Sequence, residues 1–316
     1  MRRVLPIFML VVFIISSCAS QNATRINETA IANSILQQIE VKQTVIAFKL
    51  TPTITPTASQ TPTVTFTPSP VPSTTPTITP TWIKHAKGTP ILAPILLYHH
   101  IRDIEKPGRY DISPAVFETQ MQYLKEWGYT SITIETLVNA LKYSDPLPEK
   151  PVMITFDDGA LDVYQNAFPI MQKFGFVGTF YIVSNRLKSV DFVHVPEIRE
   201  MISAGWEIGS HSHSHVDLTQ NHNDINAEAK GSMTELSDAI GVGIYSFAYP
   251  FGMIDPVVGD HISTYGYSNA VGLGTSYTHT LGQIFYLSRM EVRNDYDATG
   301  FARLLPWSPV TTPPAQ

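Results

Sequence analysis

"MITFDDG" (Met153–Gly159) sets an apolar run directly before two adjacent carboxylates, Asp157 and Asp158, and a glycine. The run, "PVMITF" in full, has the composition of a strand buried on both faces. Asp-Asp-Gly reads as the turn that ends it, Gly159 supplying the backbone freedom. Roughly fifty residues later, "GSHSHSH" (Gly209–His215) brings three imidazoles at alternate positions after the strand-like "EIGS".

The same alternation continues on either side. "ILAPILLYHHI" reads as a strand that ends in His99 and His100. "SPAVFETQMQYLKEWGY" has helical spacing, with Ser113 as N-cap, Pro114 at the first helical position and Gly128 as the stop. "LDVYQNAFPIMQKFG", "VPEIREMISAGW", "INAEAKGSMTELSDAIG" and "DPVVGDHISTYG" read as helices, and "VGTFYIV", "SFAYPFG" and "SNAVGL" as strands. Strands that alternate with helices over short connections imply a parallel sheet covered by helices. About seven repeats suggest a small or incomplete barrel, although composition leaves barrel and open sheet undecided. In both architectures functional groups gather at the C-terminal strand ends, where Asp157, Asp158, His99 and the histidine triplet fall.

The bulk composition narrows the partners. The 316 residues are 43% hydrophobic and 15% charged, with a net charge of −6. No basic block follows the N-terminus, so nucleic acid is not an expected partner, and a neutral substrate suits the chain better. The single cysteine, Cys18, excludes an internal disulfide, a Cys-rich zinc site and a Cys–His nucleophile pair.

Cys18 follows "MRRVLPIFMLVVFIIS", two arginines and a short apolar stretch of signal-peptide length. "ISSC" (Ile15–Cys18) resembles the lipobox of bacterial lipoprotein signal peptides, which implies that Cys18 is the lipidated first residue of the mature protein. The alternative is an N-terminal transmembrane anchor. Both readings put the rest of the chain outside the cytoplasm, attached to the cell membrane or secreted. Residues 19–50 are polar, with a short helix expected in "ANSILQQIEVKQTVIAF". Proline then recurs through residues 51–81, removing backbone donors and enforcing extended conformations. No core forms from this material; it reads as a disordered spacer or a stalk reaching about 90 Å.

Taken singly, Asp-Asp-Gly is a polar turn and histidines four apart are a solvated patch. Their coincidence at neighbouring strand ends is what points to chemistry. Two imidazoles and one carboxylate form a ligand set that leaves positions open on a divalent ion. A second carboxylate beside it can act as general base on a water that the ion activates near neutral pH. No G-x-S-x-G nucleophile elbow competes with this hydrolytic reading.

"TFDDG" (Thr155–Gly159), "HSHSH" (His211–His215), their spacing and the intervening "VGTFYI" resemble the polysaccharide deacetylases of carbohydrate esterase family four. The resemblance spans about residues 92–305. It implies an α/β fold, a distorted seven-stranded (β/α) barrel, here preceded by a disordered Thr/Pro-rich stalk. It also implies a metal-dependent hydrolase that removes N-acetyl groups from amino-sugar polymers. By the same resemblance Asp157 is the base, and Asp158, His211 and His215 hold the metal, most often zinc, with cobalt or nickel accepted. His213 has no ligand role in that pattern and is expected to point away or to shape the cleft. The resulting division is a signal peptide over 1–17, a polar segment over 18–50, a Thr/Pro-rich linker over 51–90, the deacetylase domain over 91–308 and a tail over 309–316.

Two positions depart from the family pattern. Its Arg-x-Pro-Tyr motif reads Ala248-Tyr249-Pro250-Phe251 here, so the arginine that orients the base is missing. Arg289, in "YLSRMEV", is the expected substitute beside Asp157, and the Phe251 backbone N–H is the expected oxyanion donor. The usual Leu-x-His near the C-terminus is also missing. The branch acting on exported poly-N-acetylglucosamine is similar in this respect and uses a Tyr-His near the domain start, which maps the general acid onto His99, with His100 bonded locally. The expected substrate is peptidoglycan, poly-N-acetylglucosamine or another N-acetylated glycan. The alternatives are acetyl esters of xylan, or a surface carbohydrate-binding protein that kept the barrel and lost turnover.

Overall fold

The computed structural model describes residues 81–220 and 224–309. The signal peptide, Cys18, the 18–50 segment, the linker up to residue 80 and the tail beyond residue 309 lie outside the described residues.

Seven parallel strands make one curled sheet: β1 Ile95–Tyr98, β2 Pro151–Phe156, β3 Thr179–Ile182, β4 Glu207–Ser210, β5 Ser246–Ala248, β6 Asn269–Val271 and β7 Met290–Glu291. Their order is β6-β5-β4-β3-β2-β1-β7, and Thr130–Ser131 adds a short pairing beside the start of β2. The chain entering β7 bridges β6 at Leu287 and Val271, while β7 itself pairs with β1 at Met290 and Leu96. Residues 287–291 therefore span both ends of the strand order, and the sheet curls into a distorted barrel. This decides between the two architectures that composition left open.

Helices α1 Pro114–Glu126, α2 Ile134–Tyr143, α3 Phe168–Phe174, α4 Val195–Ser203, α5 Ser232–Ile240, α6 Pro256–Thr264 and α7 Ala298–Ala302 complete the fold. The Ser113 hydroxyl caps α1 by accepting from the Val116 N–H at 3.3 Å, as the sequence predicts. Gly175 and Gly241 end α3 and α5 at φ 71° and 85°, a conformation that costs glycine little. The stretches before α3 and α5 are π-helical, Val163–Ala167 and Asn226–Gly231, where the sequence suggested unbroken α-helix. Pro169, the second residue of α3, has no N–H to give to the ladder of the turn before it.

Strand alternation sorts the core into two layers. Leu96, Tyr98, Ile154, Phe156 and Phe180 face outward against Phe117, Met121 and Leu124 of α1 and Met201 of α4. Phe156 stacks on Tyr98 and on Trp206, each at 5.6 Å between ring centroids; truncating a buried aromatic of this kind to alanine costs about 3–5 kcal/mol. Ile95, Met153, Tyr181, Ala248 and Val271 form the second layer inside the barrel. Tyr181 lies so close to Gly209 that a Cβ there would meet its ring at 2.4 Å.

Helix α2 was not legible in the sequence. Ile134, Leu137, Val138 and Leu141 on its apolar face join the inner layer. Its first amides bond to residues at the starts of β3 and β4, Ile134 N to Thr179 Oγ1 at 3.2 Å and Glu135 N to Glu207 Oε2 at 2.8 Å. The helix closes the floor of the barrel and leaves the opposite mouth to functional groups. The domain also reaches into the stretch read as linker, because Trp82–Ile83 pair antiparallel with Leu147–Pro148. No helix among the described residues is long and apolar enough to cross a membrane.

Candidate active site

Both carboxylates stand where β2 ends, and the backbone sends them in different directions. Asp158 has φ 73° and Gly159 φ 79°, so the chain reverses sharply after Asp157. A left-handed non-glycine residue costs on the order of 1–3 kcal/mol and concentrates at functional sites. Asp157 turns into the barrel and is 2% exposed. Its carboxylate accepts two hydrogen bonds from Arg289, Nη1 to Oδ1 at 2.6 Å and Nη2 to Oδ2 at 2.7 Å. Burial by itself would raise the Asp157 pKa, but the Arg289 guanidinium, through its charge and its hydrogen bonds, outweighs it and holds the carboxyl well below the usual carboxylate range.

Asp158 turns the other way, toward the histidine triplet. Its Oδ1 lies 3.8 Å from His211 Nε2 and 3.4 Å from His215 Nε2. His211 follows β4 directly and is 2% exposed. Its Nδ1–H donates to the Ala248 carbonyl at 2.8 Å, which fixes the tautomer and leaves Nε2 with a free lone pair facing the carboxylates. Burial lowers the pKa of His211, against the pull of Asp157 and Asp158. His215 packs against it with ring centroids 4.7 Å apart. His213 faces elsewhere: its Nδ1 lies 2.8 Å from Glu235 Oε2 and 3.1 Å from Ser184 Oγ.

One ligand atom each from Asp158, His211 and His215 lie within 4.8 Å of one another. The donor chemistry suits a divalent ion. It comprises one carboxylate oxygen and two imidazole nitrogens, one ring locked by a carbonyl on its far nitrogen. The three residues line a cavity of about 220 Å³ whose wall also includes His99, Tyr110, Phe251 and Leu273.

His99, at the end of β1, lines this cavity with its ring 4.4 Å from that of Tyr110. Burial pushes its pKa down, and the Asp157 and Asp158 charges oppose that shift. His100 pairs with a residue distant in sequence, its Nδ1 lying 2.8 Å from Asp162 Oδ2. Phe251 occupies the turn after β5 at φ 59°, and its ring lies 4.6 Å from that of His215. Arg289 is 1% exposed, its Nε donating to the Gly272 carbonyl at 3.1 Å and its guanidinium lying over the Tyr181 ring. The residue comes from the segment that joins the two ends of the sheet. Tyr110 and Leu273 had no signal in the sequence, since both sit in loops whose path only the fold defines.

A family model described as "Polysaccharide deacetylase" matches residues 144–270. BA0330 of Bacillus anthracis, named for the same family, is 30% identical, with 67% of this chain and 68% of that one covered and a TM-score of 0.61. The chain belongs to the polysaccharide deacetylase family. This deacetylase-family chain also shares its fold with the Streptococcus pyogenes deacetylase PplD in complex with acetate, at 23% identity and a TM-score of 0.64, covering 69% of this chain and 99% of that one. The poly-β-1,6-N-acetyl-D-glucosamine N-deacetylase of Staphylococcus aureus is 26% identical over 178 residues, 50% of this chain and 61% of its own length. The chain spans about half the length of the curated relatives it matches, 47% and 61% in two cases. The family match contains Asp157, Asp158, His211, His215 and Phe251, whereas His99 and Arg289 lie outside it.

Proposed function

We propose that this chain is a metal-dependent hydrolase that removes N-acetyl groups from amino-sugar polymers. The observation that carries the reading is the meeting of an arginine-held Asp157 with the Asp158, His211 and His215 set at one cavity. Asp158, His211 and His215 would hold a divalent ion, zinc by preference with cobalt or nickel as substitutes, which would supply Lewis-acid polarisation of the acetyl carbonyl and a lowered pKa for water.

Asp157 takes the proton of the attacking water as its oxygen bonds to the acetyl carbon. Its charge is available at any ordinary pH because Arg289 keeps it ionised. The carbonyl oxygen gains negative charge in the tetrahedral intermediate, and the Phe251 N–H donates to it. His99 then gives a proton to the sugar nitrogen, the carbon–nitrogen bond breaks, and acetate and a free amine leave. The substrate class is N-acetylglucosamine polymer, peptidoglycan or poly-N-acetylglucosamine. The name of the Staphylococcus aureus relative supports the second.

We further propose that the chain acts outside the cytoplasm, anchored by lipid on Cys18 and held off the membrane by the Thr/Pro-rich stalk. The Arg-Arg, apolar stretch and "ISSC" support this. Replacing Cys18 with alanine moves the protein from the membrane fraction to the soluble one; unchanged membrane retention contradicts lipid anchoring at that residue.

The test of the activity is acetate release from N-acetylglucosamine oligomers by the purified protein, with and without added zinc. Zinc-dependent release is expected. Metal binding without release from several glycans, including acetylated xylan, would make the protein a carbohydrate binder instead.

A further inference from the structure

The loop from His211 to His215 carries two of the three candidate metal ligands, and its backbone is strained at both ends of the intervening pair. Ser212 has φ 65° and His215 φ 63°, both left-handed without being glycine. Such a loop keeps its shape only where its surroundings hold it.

One carboxylate makes three of the contacts that hold it. Glu228 sits in the π-helical turn before α5 and is 7% exposed. Its Oε2 accepts from the backbone N–H of His213 at 3.1 Å and of Ser214 at 2.8 Å, and its Oε1 accepts from the Ser214 hydroxyl at 2.5 Å. The two amides between the strained residues thus converge on a single buried charge. On the other face of the loop, the Ser212 carbonyl accepts from Ser184 N at 3.1 Å and from the Ser232 hydroxyl at 3.0 Å. The Ser212 hydroxyl closes the turn by accepting from His215 N at 2.9 Å.

We propose that Glu228 is a positioning residue for the metal site: it holds the backbone of His213 and Ser214 so that the His211 and His215 rings face Asp158 before any ion arrives. The inference rests on the metal-dependent reading above. A ligand loop held in advance loses less conformational freedom on binding, so affinity is the quantity that depends on Glu228. Hydrogen bonds from backbone amides to a buried carboxylate are the strong, charge-assisted kind.

The experiment measures zinc affinity of the full chain by competition with a chromophoric chelator. Glu228→Ala weakens zinc binding about 10–100-fold. Glu228→Gln still offers an oxygen to both amides and stays within about threefold of wild type. Acetate release by Glu228→Ala recovers at saturating zinc, which loss of a residue that touches substrate would not allow. Circular dichroism reports whether each variant folds. If Glu228→Ala does not, Ser214→Ala replaces it; that variant removes only the hydroxyl arm and is expected to weaken zinc about threefold to tenfold. A folded Glu228→Ala, or in its absence Ser214→Ala, with wild-type zinc affinity overturns the proposal. Failure of the wild-type chain itself to bind zinc overturns the metal-dependent reading and this inference together.

Discussion

Arg289 and Asp157 form a two-pronged ion pair sealed inside the barrel, with 2.6 and 2.7 Å contacts between the residue just before β7 and the residue just after β2, strands on opposite sides of β1. Breaking a buried pair from one side strands the other charge and costs about 3–5 kcal/mol. Arg289→Ala leaves Asp157 with burial as its main influence, so its pKa rises and a base that must be ionised is protonated at acid pH. The acid limb of the pH–rate profile therefore moves upward, and turnover falls at every pH below it. Unchanged turnover in this variant disposes of the role.

His99→Ala is expected to slow acetate release by about 10²–10⁴-fold while leaving zinc content intact. Because burial lowers the His99 pKa, its proton-bearing form disappears as pH rises through that lowered value. Wild-type turnover should decline on the alkaline side, and the residual activity of the variant should lack that decline. A profile of the same shape in both proteins assigns the acid elsewhere.

The histidine triplet offers an internal control. His215→Ala and Asp158→Ala are expected to purify without zinc, whereas His213→Ala retains it, because the His213 ring faces Glu235 and Ser184 instead. Metal analysis of the three proteins gives the answer directly. Chelator treatment of the wild type should abolish acetate release, and zinc should restore it.

Glu207, at the barrel floor, is pushed up to about 7 by burial, against hydrogen bonds from Glu135 N and Thr179. The folded chain keeps a proton there that an unfolded chain has lost above its ordinary value of 4.5. Stability contributed by this group is full below 4.5 and falls as pH rises toward 7. Glu207→Gln is expected to melt higher than wild type at about pH 8, with the gap narrowing toward about pH 5. A gap independent of pH would show that Glu207 titrates normally.

Much of this was readable because it is local. Strand-like runs that end in acids or imidazoles, Ser113 before an apolar period, and glycines at helix ends each carry their physics within a few residues. Helix α2 escaped because Ser144, at φ 61°, closes it where a glycine would have been the signal. Its burial beneath the strands depends on Tyr181, Met153 and Val271, which are distant in sequence. Arg289 could be named from a gap in a motif, yet its distance from Asp157 required the sheet to curl. Glu228 gave no signal, since a glutamate in "NAEAKG" reads as a solvated helix face until the loop it binds is in view.

Closure of the sheet by residues 287–291 has a consequence for the order of assembly. Synthesis delivers Asp157 long before Arg289, so a barrel built only through β6 encloses an uncompensated anion and is disfavoured on that account. Docking of the final strand against the first cancels that penalty and gives the proposed base its counter-charge in one movement. Maturation of the fold and arming of its chemistry thereby coincide, and a chain cut short before that strand lacks both.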